Sequence, residues 1–303
     1  MTNNTVANET DITHPETQGR VLIIAGSDSS GGAGIQADIK SCAAFGAYSA
    51  TAITAVTVQN TLGVSAVETM PAEIVHGQIR AVLDDIGADV IKIGMLANAE
   101  IINVVAEEIE DTSAYVVLDP VMVATSGDAL LDPDAVKLLK SKLIPLCDVI
   151  TPNAPEAALL TGISIEEFGD LTQAGEALLS MGAYAALMKG GHLKSKSIID
   201  VLVTEEGANM MTGPRLYTRH THGTGCSLAS AVAANMALGV PLEAAVQNAR
   251  DFVFEAIRTA PKFGSGNGPL NHGLTVIGDD SVPEDDTPKT DNPFAVLKGG
   301  LDS

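Results

Sequence analysis

The sequence has no tryptophan and few aromatic residues of any kind: Phe, Trp and Tyr together make up 3% of its 303 residues. Hydrophobic residues nevertheless reach 46%, so alanine, valine, isoleucine and leucine must form most of the core. Such residues favour parallel strands covered by helices, and they argue against an aromatic-rich β-sandwich. The length allows one large α/β domain or two small ones.

Positive charge is also scarce. The chain has 17 Lys and Arg against 38 Asp and Glu, which gives a formal net charge of −21. A protein that binds nucleic acid needs clustered cations to neutralise phosphates, so this composition argues against a nucleic-acid partner. A strongly acidic surface instead favours solubility.

Cysteines and long apolar runs are missing as well. The three cysteines are too few for a disulfide scaffold, and their spacing is not that of metal ligands. The N-terminus lacks the basic and apolar segments of a secretory signal, and no apolar run reaches the roughly 18–20 residues that span a bilayer. We therefore expect a soluble, cytoplasmic protein with no membrane partner.

The chain divides into three parts by composition. Residues 1–19 are polar and aperiodic and predict a disordered leader, and residues 278–303, rich in proline and carboxylates, predict a disordered acidic tail. Residues 20–277 lie between them without an internal repeat or a long linker. We therefore expect one domain there.

This central part alternates between short β-branched runs and helical stretches. Strands are predicted at Val21–Ala25, Ala52–Val58, Val90–Ile93, Tyr115–Leu118, Val149–Thr151, Ala185–Met188 and Ile198–Val203. Helices are predicted at Ile35–Phe45, Ala72–Asp84, Ala99–Glu110, Asp134–Leu143, Glu156–Thr161 and Leu171–Met181. A short β region at Ala208–Thr218 then precedes two long helices, Gly225–Leu238 and Leu242–Ala260. The alternation predicts a three-layer α/β/α fold with a mostly parallel central sheet.

Polar residues and glycines follow the predicted strands where each one ends. In an open parallel sheet the ligand lies outside the carboxyl ends of the strands, so these residues should line one edge. They are Gly26–Asp28, Gln59–Asn60, Gly94–Met95, Asp119–Pro120, Asn153 with Glu156, and Lys189–His192. The sequence therefore predicts a single site there.

Residues 220–226, His-Thr-His-Gly-Thr-Gly-Cys, lead into an apolar helix. Free N–H groups and the helix dipole at such an N-terminus suit an anion, and Gly223 and Gly225 allow its close approach. Cys226 stands where it could meet a reacting hydroxyl, and the helix end predicts a lowered thiol pKa. Cys42 and Cys147 lie in apolar surroundings and are expected to fill the core. A phosphoryl-transfer site is the first hypothesis.

Several residues of this edge have both a structural and a functional interpretation. Asn153 and Glu156 could cap a helix or support Mg²⁺ through water. Lys189 could form a salt bridge or contact ATP phosphates. Gln59 could be a loop hydrogen-bonding residue, or its amide could read an aminopyrimidine with its adjacent donor and acceptor.

The glycine-rich stretch after the first predicted strand, residues 25–34, is also ambiguous. It could be a dinucleotide fingerprint, a loop that packs against substrate, or a structural turn. It lacks a clean G-x-G-x-x-G register and the Lys and Ser/Thr ending of a Walker P-loop.

The assembled motifs resemble those of the hydroxymethylpyrimidine/phosphomethylpyrimidine kinases of thiamine biosynthesis, in the ribokinase-like superfamily. The resemblance covers residues 20–275, and most of the superfamily carries Asp where Cys226 stands; cysteine there resembles the pyrimidine kinases and some pyridoxal kinases. The matching segments are Ile24–Asp38, Val58–Thr61, Lys92–Leu96, Leu118–Met122, Thr151–Ala157, Met188–His192, Thr221–Cys226 and Gly264–His272.

The resemblance implies a ribokinase-like fold, ATP and Mg²⁺ as cofactors, a small-molecule pyrimidine as substrate and a homodimer. It implies that Gln59 reads the pyrimidine in a pocket shaped by Gly26, Ala33 and Met95. It implies Asn153, Glu156, Lys189, Asp119 and Thr224 near Mg-ATP, with Glu156 on the metal through water, and Gly223, Gly225, Lys189 and Cys226 in catalysis. The alternatives are a pyridoxal kinase, a non-catalytic ligand-binding protein and, more distantly, a nicotinamide-dependent oxidoreductase.

Overall fold

A nine-stranded sheet organises the protein. The computed structural model describes residues 18–122 and 133–274. The sheet order is β3-β2-β1-β4-β5-β6-β7-β8-β9. The strands are β1 (Arg20–Asp28), β2 (Tyr48–Asn60), β3 (Gly63–Thr69), β4 (Val90–Ile93), β5 (Tyr115–Leu118), β6 (Val149–Ile150), β7 (Ala185–Met188), β8 (Ser197–Thr204) and β9 (Gly207–Pro214).

Helices cover both faces of this sheet. They are α1 (Gly34–Ala44), α2 (Ala72–Leu83), α3 (Ala99–Glu110), α4 (Pro133–Leu138), α5 (Ala154–Thr161), α6 (Phe168–Ser180), α7 (Thr224–Ala237) and α8 (Leu242–Arg258). After α4 the chain continues through a π turn at Leu139–Leu143 and a 3-10 turn at Ile144–Leu146. Contacts group α1, α7 and α8 in one layer and α2 to α6 in the other. The predicted three-layer fold is confirmed.

The sheet is parallel from β2 through β7 in spatial order, and only its two ends are antiparallel. In β1 the alternation of side chains puts Leu22 and Ile24 in the core under α2 to α6. Val21 and Ile23 lie in the core under α1 and α7. Because both faces are buried, the parallel strands read as continuous apolar runs, which is why the sequence located them.

The edge strand β3 is the element that the sequence analysis missed. It pairs antiparallel with β2, and most of its residues are exposed. A strand without a buried face shows no hydrophobic pattern, so composition gave no signal for it. The predicted β region at Ala208–Thr218 corresponds to β9.

The helix α7 packs on the sheet and against its neighbours α1 and α8, and residues 227–235 are all buried. Small Ala and Ser side chains allow that close packing. In α8 one stripe is buried, at Ala245, Val246, Ala249, Phe252, Val253 and Ala256, as the 3/4 spacing predicted. The packing holds the N-terminus of α7 at the carboxyl edge of the sheet.

The predicted leader and tail fall largely outside the described residues. Of the leader, only Gln18 and Gly19 are described, and both contact the domain: the Gln18 amide donates to the Gly46 carbonyl, and the Gly19 carbonyl accepts from the Tyr48 N–H at 2.9 Å. The tail, 278–303, is not described. None of the described helices has the length and apolar character needed to cross a membrane.

Candidate active site

One cavity of about 890 Å³ lies along the carboxyl edge of the sheet. Every predicted site residue lines it: Gly26, Ala33, Gln59, Met95, Asp119, Asn153, Glu156, Lys189, Gly223, Thr224, Gly225 and Cys226. The predicted convergence on one edge is therefore confirmed. The roles of these residues stay predictions.

The N-terminus of α7 opens into this cavity. Gly223 precedes the helix with φ +81°, a left-handed conformation that favours glycine, and a Cβ there would lie 1.7 Å from the Gly32 carbonyl oxygen. A Cβ on Gly225 would lie 3.2 Å from Lys189 Nζ. The helix end and the Lys189 ammonium thus approach each other, and both suit a bound anion.

Lys189 pairs with carboxylates on the cavity wall. Its Nζ lies 2.9 Å from Asp119 Oδ1 and 4.0 Å from Glu156 Oε2. Burial lowers the pKa of Lys189, but Asp119 and Glu156 raise it above its ordinary value. The predicted salt bridge is confirmed, and the lysine is fully charged at neutral pH.

Asn153 and Glu156 form a capping box at the start of α5. The Asn153 side chain accepts from the Glu156 N–H at 3.0 Å, and the Glu156 carboxylate accepts from the Asn153 N–H at 2.8 Å. The structural interpretation is confirmed. Burial raises the pKa of Glu156 to about 7, because Asp119 adds to the effect and Lys189 offsets only part of it.

These carboxylates fit a magnesium ion held mainly by phosphates and water. Asp119 and Glu156 face the same ammonium of Lys189. The described residues contain no group of three His, Cys, Asp or Glu side chains that could hold a metal alone. Mg²⁺ commonly takes one or two carboxylates together with substrate phosphates and keeps several waters.

The thiol of Cys226 differs from the sequence prediction. Cys226 is half-buried. Burial raises the pKa of its thiol to about 12, with Asp38 and Asp119 adding to the rise and Lys92 and the Gly34 N–H lowering it. The prediction of a lowered pKa was wrong, because removal from water outweighs the helix end. Cys42 and Cys147 are buried, as expected.

A buried ion pair beneath the cavity was not predicted. Lys92 Nζ lies 2.9 Å from both carboxylate oxygens of Asp38, and the Ser230 hydroxyl donates to Asp38 at 2.7 Å. Lys92 and Asp38 are fully buried. The available signal was a lysine inside an otherwise apolar strand, which normally requires an anionic partner.

A second unpredicted pair joins two loops. His222 Nε2 lies 2.8 Å from Asp28 Oδ2, and both residues are almost completely buried. Gln59 lies beside them, with its Nε2 3.5 Å from the same His222 nitrogen and its Oε1 accepting from Thr57 Oγ1 at 3.2 Å. Asp28 and His222 are 194 positions apart, so no local pattern could reveal the contact.

The cavity extends past Lys189 to α8 and β9. Arg250 there donates to Asp200 and to the Met211 carbonyl, both at 2.8 Å, and Phe254 and Ile257 add apolar wall. The apolar stripe of α8 predicted a core helix and gave no sign of this wall. The site therefore has room for a second ligand beyond the lysine.

The matching family model describes phosphomethylpyrimidine kinases and covers residues 28–271. A hydroxymethylpyrimidine/phosphomethylpyrimidine kinase of Rhizobium meliloti is 48% identical over 254 residues, 83% of this chain and 96% of that protein. One of Streptomyces coelicolor is 45% identical over 264 residues, 87% of this chain and 98% of that protein.

Solved structures of kinases are similar to this chain in both fold and sequence. A Bacillus subtilis pyridoxal kinase in an ADP complex has a TM-score of 0.81 at 34% identity and covers 86% of this chain and 100% of its own. A phosphomethylpyrimidine kinase of Clostridium difficile 630 has a TM-score of 0.71 at 43% identity, covering 78% and 99%. A Staphylococcus aureus pyridoxal kinase with AMP-PCP and pyridoxal has 0.78 at 32%, covering 85% and 95%. The chain belongs to the phosphomethylpyrimidine kinase family, in the ribokinase-like fold.

Proposed function

We propose that this enzyme transfers the γ-phosphoryl group of ATP to the hydroxymethyl oxygen of 4-amino-5-hydroxymethyl-2-methylpyrimidine, and then phosphorylates the monophosphate to the diphosphate, in thiamine biosynthesis. The observation that carries the proposal is the single cavity that joins Gln59 at one end to Lys189 and the N-terminus of α7 at the other. Family membership supports the same chemistry.

Gln59, Gly26, Ala33 and Met95 form the proposed pyrimidine end. The Gln59 amide offers a donor and an acceptor side by side, which matches an amino group next to a ring nitrogen. A Cβ on Gly26 would lie 3.2 Å from Met95 Sδ, so glycine leaves the Met95 side chain its place. Thr54 Oγ1 donates to the Met95 carbonyl at 2.6 Å and fixes that segment.

Gly223, Thr224 and Gly225 form the proposed anion hole together with Lys189. Phosphoryl transfer passes through a loose transition state, so positioning and charge stabilisation supply most of the catalysis. The backbone N–H groups and the ammonium are fixed before the reaction and need no reorganisation.

Asp119, Glu156 and Asn153 form the proposed nucleotide end, with Glu156 supporting Mg²⁺ through water. Mg²⁺, when bound, neutralises charge on the phosphates. Asn153 fixes the Glu156 carboxylate through the capping box, and Lys189 holds Asp119 in place.

Cys226 is proposed to relay the proton of the attacking hydroxyl. With a pKa of about 12 the sulfur is a thiol at neutral pH. It can therefore take the hydroxyl proton only as its own proton passes to an oxygen of the transferred phosphoryl group. We expect Cys226→Ala to lower turnover for both phosphorylations. Wild-type turnover in that variant would refute the relay.

A coupled assay of ADP release tests the function, with hydroxymethylpyrimidine, its monophosphate and pyridoxal as separate substrates. The expected result is release with both pyrimidines. The similarity to pyridoxal kinases makes pyridoxal phosphorylation the second candidate, and faster turnover of pyridoxal would establish it. No release with any of the three would favour a non-catalytic ligand-binding protein.

We also propose a cytoplasmic homodimer. The three cysteines are free, as in a reducing compartment. Val58 is 59% exposed and Leu62 70% exposed on the hairpin of β2 and β3, and Val56 lies beside them at 43%. Light scattering after size exclusion tests the dimer, and Val58→Asp should shift a dimer on this face towards monomer.

A further inference from the structure

Positive charge is unevenly distributed over this acidic protein. The chain has 17 Lys and Arg against 38 Asp and Glu, and many of its described cations are neutralised by a carboxylate. The lysines and arginines that form such ion pairs in the described part of the chain are Arg20, Arg80, Lys92, Lys137, Lys189, Arg250 and Arg258. Lys194, Lys196 and Arg215 are not among them, and these three residues lie together.

A second cavity, open to solvent and about 490 Å³ in volume, is lined by Lys194, Lys196 and Arg215. No Asp or Glu of the described residues lines it. His192 and Arg215 line the main cavity as well, and His192 ends the short turn that follows Lys189. This cationic cavity therefore adjoins the main cavity at its Lys189 end.

Arg215 fixes the loop that carries the two lysines. Its guanidinium donates to the carbonyls of Gly191, Leu193 and Ser195, at 2.8, 2.8 and 2.9 Å. A carbonyl group is a dipole without net charge, so these bonds hold the guanidinium in place and leave its charge uncancelled. Because the loop is pinned at three carbonyls, the exposed lysine side chains start from a fixed backbone beside the cavity.

His192 indicates the sign of the electrostatic field at this junction. Burial lowers the pKa of its imidazole, and the positive charges of Lys189 and Arg215 lower that pKa further. The imidazole is therefore mainly neutral at pH 7, and the charges that act on it are cationic. An anion is favoured where a second cation is disfavoured.

The local charge governs the approach of an anion to this cavity, although the net charge of the chain is −21. At physiological ionic strength the Debye length is about 8 Å, so exposed carboxylates on distant faces are largely screened. A cleft lined by charges of one sign raises the local concentration and the association rate of ions of the opposite sign. The cations beside the cavity therefore act on an arriving ligand more strongly than the distant carboxylates do.

We propose that Lys194, Lys196 and Arg215 form an entry site that attracts the polyphosphate of a nucleoside triphosphate and guides it to Lys189. Lys194 and Lys196 line the cationic cavity and not the main one, so they accelerate arrival without holding the bound ligand. The inference rests on the proposed function in taking the nucleotide as ligand, and it adds residues outside the main cavity to the path of that ligand.

Stopped-flow binding of fluorescent N-methylanthraniloyl-ATP with Mg²⁺, without pyrimidine, tests the entry site. Lys194→Gln/Lys196→Gln removes two charges from the cationic cavity. The control Lys140→Gln/Lys142→Gln removes two charges from the π turn that leads towards β6, which lines neither cavity. Urea denaturation checks that both variants are folded.

The expected effect is on the association rate and depends on salt. At about 0.01 M ionic strength, where the Debye length is about 30 Å, kon of the Lys194/Lys196 variant should be about fivefold below wild type. At about 0.15 M the two should agree within about twofold. The dissociation rate should stay within about twofold of wild type, and the control should show neither change.

The charge of the ligand gives a second measurement. N-methylanthraniloyl-AMP carries the same base and fluorophore with fewer phosphate charges, so the two substitutions should lower its kon less than that of the triphosphate. An equal loss for both nucleotides contradicts electrostatic guidance.

Three further outcomes overturn the entry site. They are an unchanged kon in the folded Lys194/Lys196 variant, an equal loss in the control, and a loss of affinity that comes from faster dissociation, which would make the lysines contacts of the bound nucleotide. If wild type binds no nucleotide, the proposed function is refuted together with the entry site. Nucleotide binding with an unchanged kon refutes the entry site alone.

Discussion

Two lysine–aspartate pairs lie close to the cavity and share the same geometry, but they differ in exposure. Lys92 and Asp38 are 2.9 Å apart, and both side chains are fully buried. Lys189 and Asp119 are also 2.9 Å apart, with 13% of the Lys189 side chain exposed to the cavity. The distance between charges therefore does not distinguish a pair that holds the fold from one that meets a ligand.

The surroundings of each pair do distinguish them. Asp38 lies on α1, Lys92 on β4 and their partner Ser230 on α7, so this network connects the sheet to the layer that carries the proposed anion hole. Lys189 instead faces the gap between Asp119, Glu156 and the first turn of α7. An ammonium that opens on a cavity can exchange a carboxylate for a phosphate, and a sealed one cannot.

The largest expected effect comes from breaking the sealed pair. Lys92→Met leaves the Asp38 carboxyl buried without the cation that opposes the rise of its pKa on burial, so the group must either remain charged at high cost or take up a proton, and the loss should be about 3–5 kcal/mol of unfolding free energy. Urea denaturation measures the loss. The double variant Lys92→Met/Asp38→Leu, which removes both charges, should recover much of it. A Lys92→Met variant as stable as wild type would contradict the assigned role.

Breaking the pair of Lys189 and Asp119 should instead affect catalysis more than stability. Lys189→Met removes the donor that we propose contacts the phosphates, and should lower kcat by about 10²–10³-fold, the loss typical of one preorganised donor. Its cost in stability should be smaller than that of Lys92→Met, because water can reach Asp119 from the cavity. ADP release and urea denaturation give the two values, with exposed Lys142→Met as the control. Equal losses of unfolding free energy in Lys92→Met and Lys189→Met would contradict the distinction between a pair that holds the fold and a pair that meets a ligand.

Asp28 and His222 form a third buried pair. Its contribution to the free energy of unfolding should depend on pH. The pKa of Asp28 falls from 3.8 to about 2 on folding. The resulting stabilisation is fully present above pH 3.8 and is lost as the pH falls towards 2, and the shift corresponds to roughly 2–3 kcal/mol. The gap in unfolding free energy between wild type and Asp28→Asn should therefore narrow over that range. The Asp85→Asn variant, which removes a carboxylate from the surface, is the matched control.

The smallest expected effect is on the reactivity of Cys226, which lies within electrostatic reach of both lysines. Its pKa of about 12 predicts alkylation by iodoacetamide that still accelerates between pH 8 and 10, where an ordinary thiol levels off. Removing Lys92 should slow the reaction further, since Lys92 lowers that pKa. Mass spectrometry of the labelled peptide measures it, and a plateau near pH 8 would contradict the raised pKa.

Much of the fold followed from the sequence because parallel strands buried on both faces are short and uniformly apolar. β4, β5 and β7 were predicted to the residue. The edge strand β3 was missed because most of its residues are exposed, so its sequence carries no hydrophobic pattern. The site edge followed from one rule of topology, which brings the ends of successive strands together.

The missing parts of the site are interactions between distant positions. Asp38 and Lys92 are 54 positions apart, and the sequence around either residue does not indicate its partner. The prediction of the Cys226 thiol pKa was wrong for a related reason. A rule about helix ends does not include burial, and burial, reinforced by the negative charges of Asp38 and Asp119, raises this pKa. The sequence located the residues that line the cavity, but the protonation state of a group such as the Cys226 thiol depends on how the folded chain packs around it.

The 194 positions between Asp28 and His222 also bear on synthesis. At the usual pace of about 5–20 residues per second, the ribosome completes His222 some 10–40 s after Asp28. Throughout that interval the loop after β1 has its own amides but not the imidazole, and α7 has not emerged to cover the sheet. A nascent chain halted before α7 would therefore lack the helix end that carries the proposed anion hole, so anion binding there would require that α7 has already been synthesised.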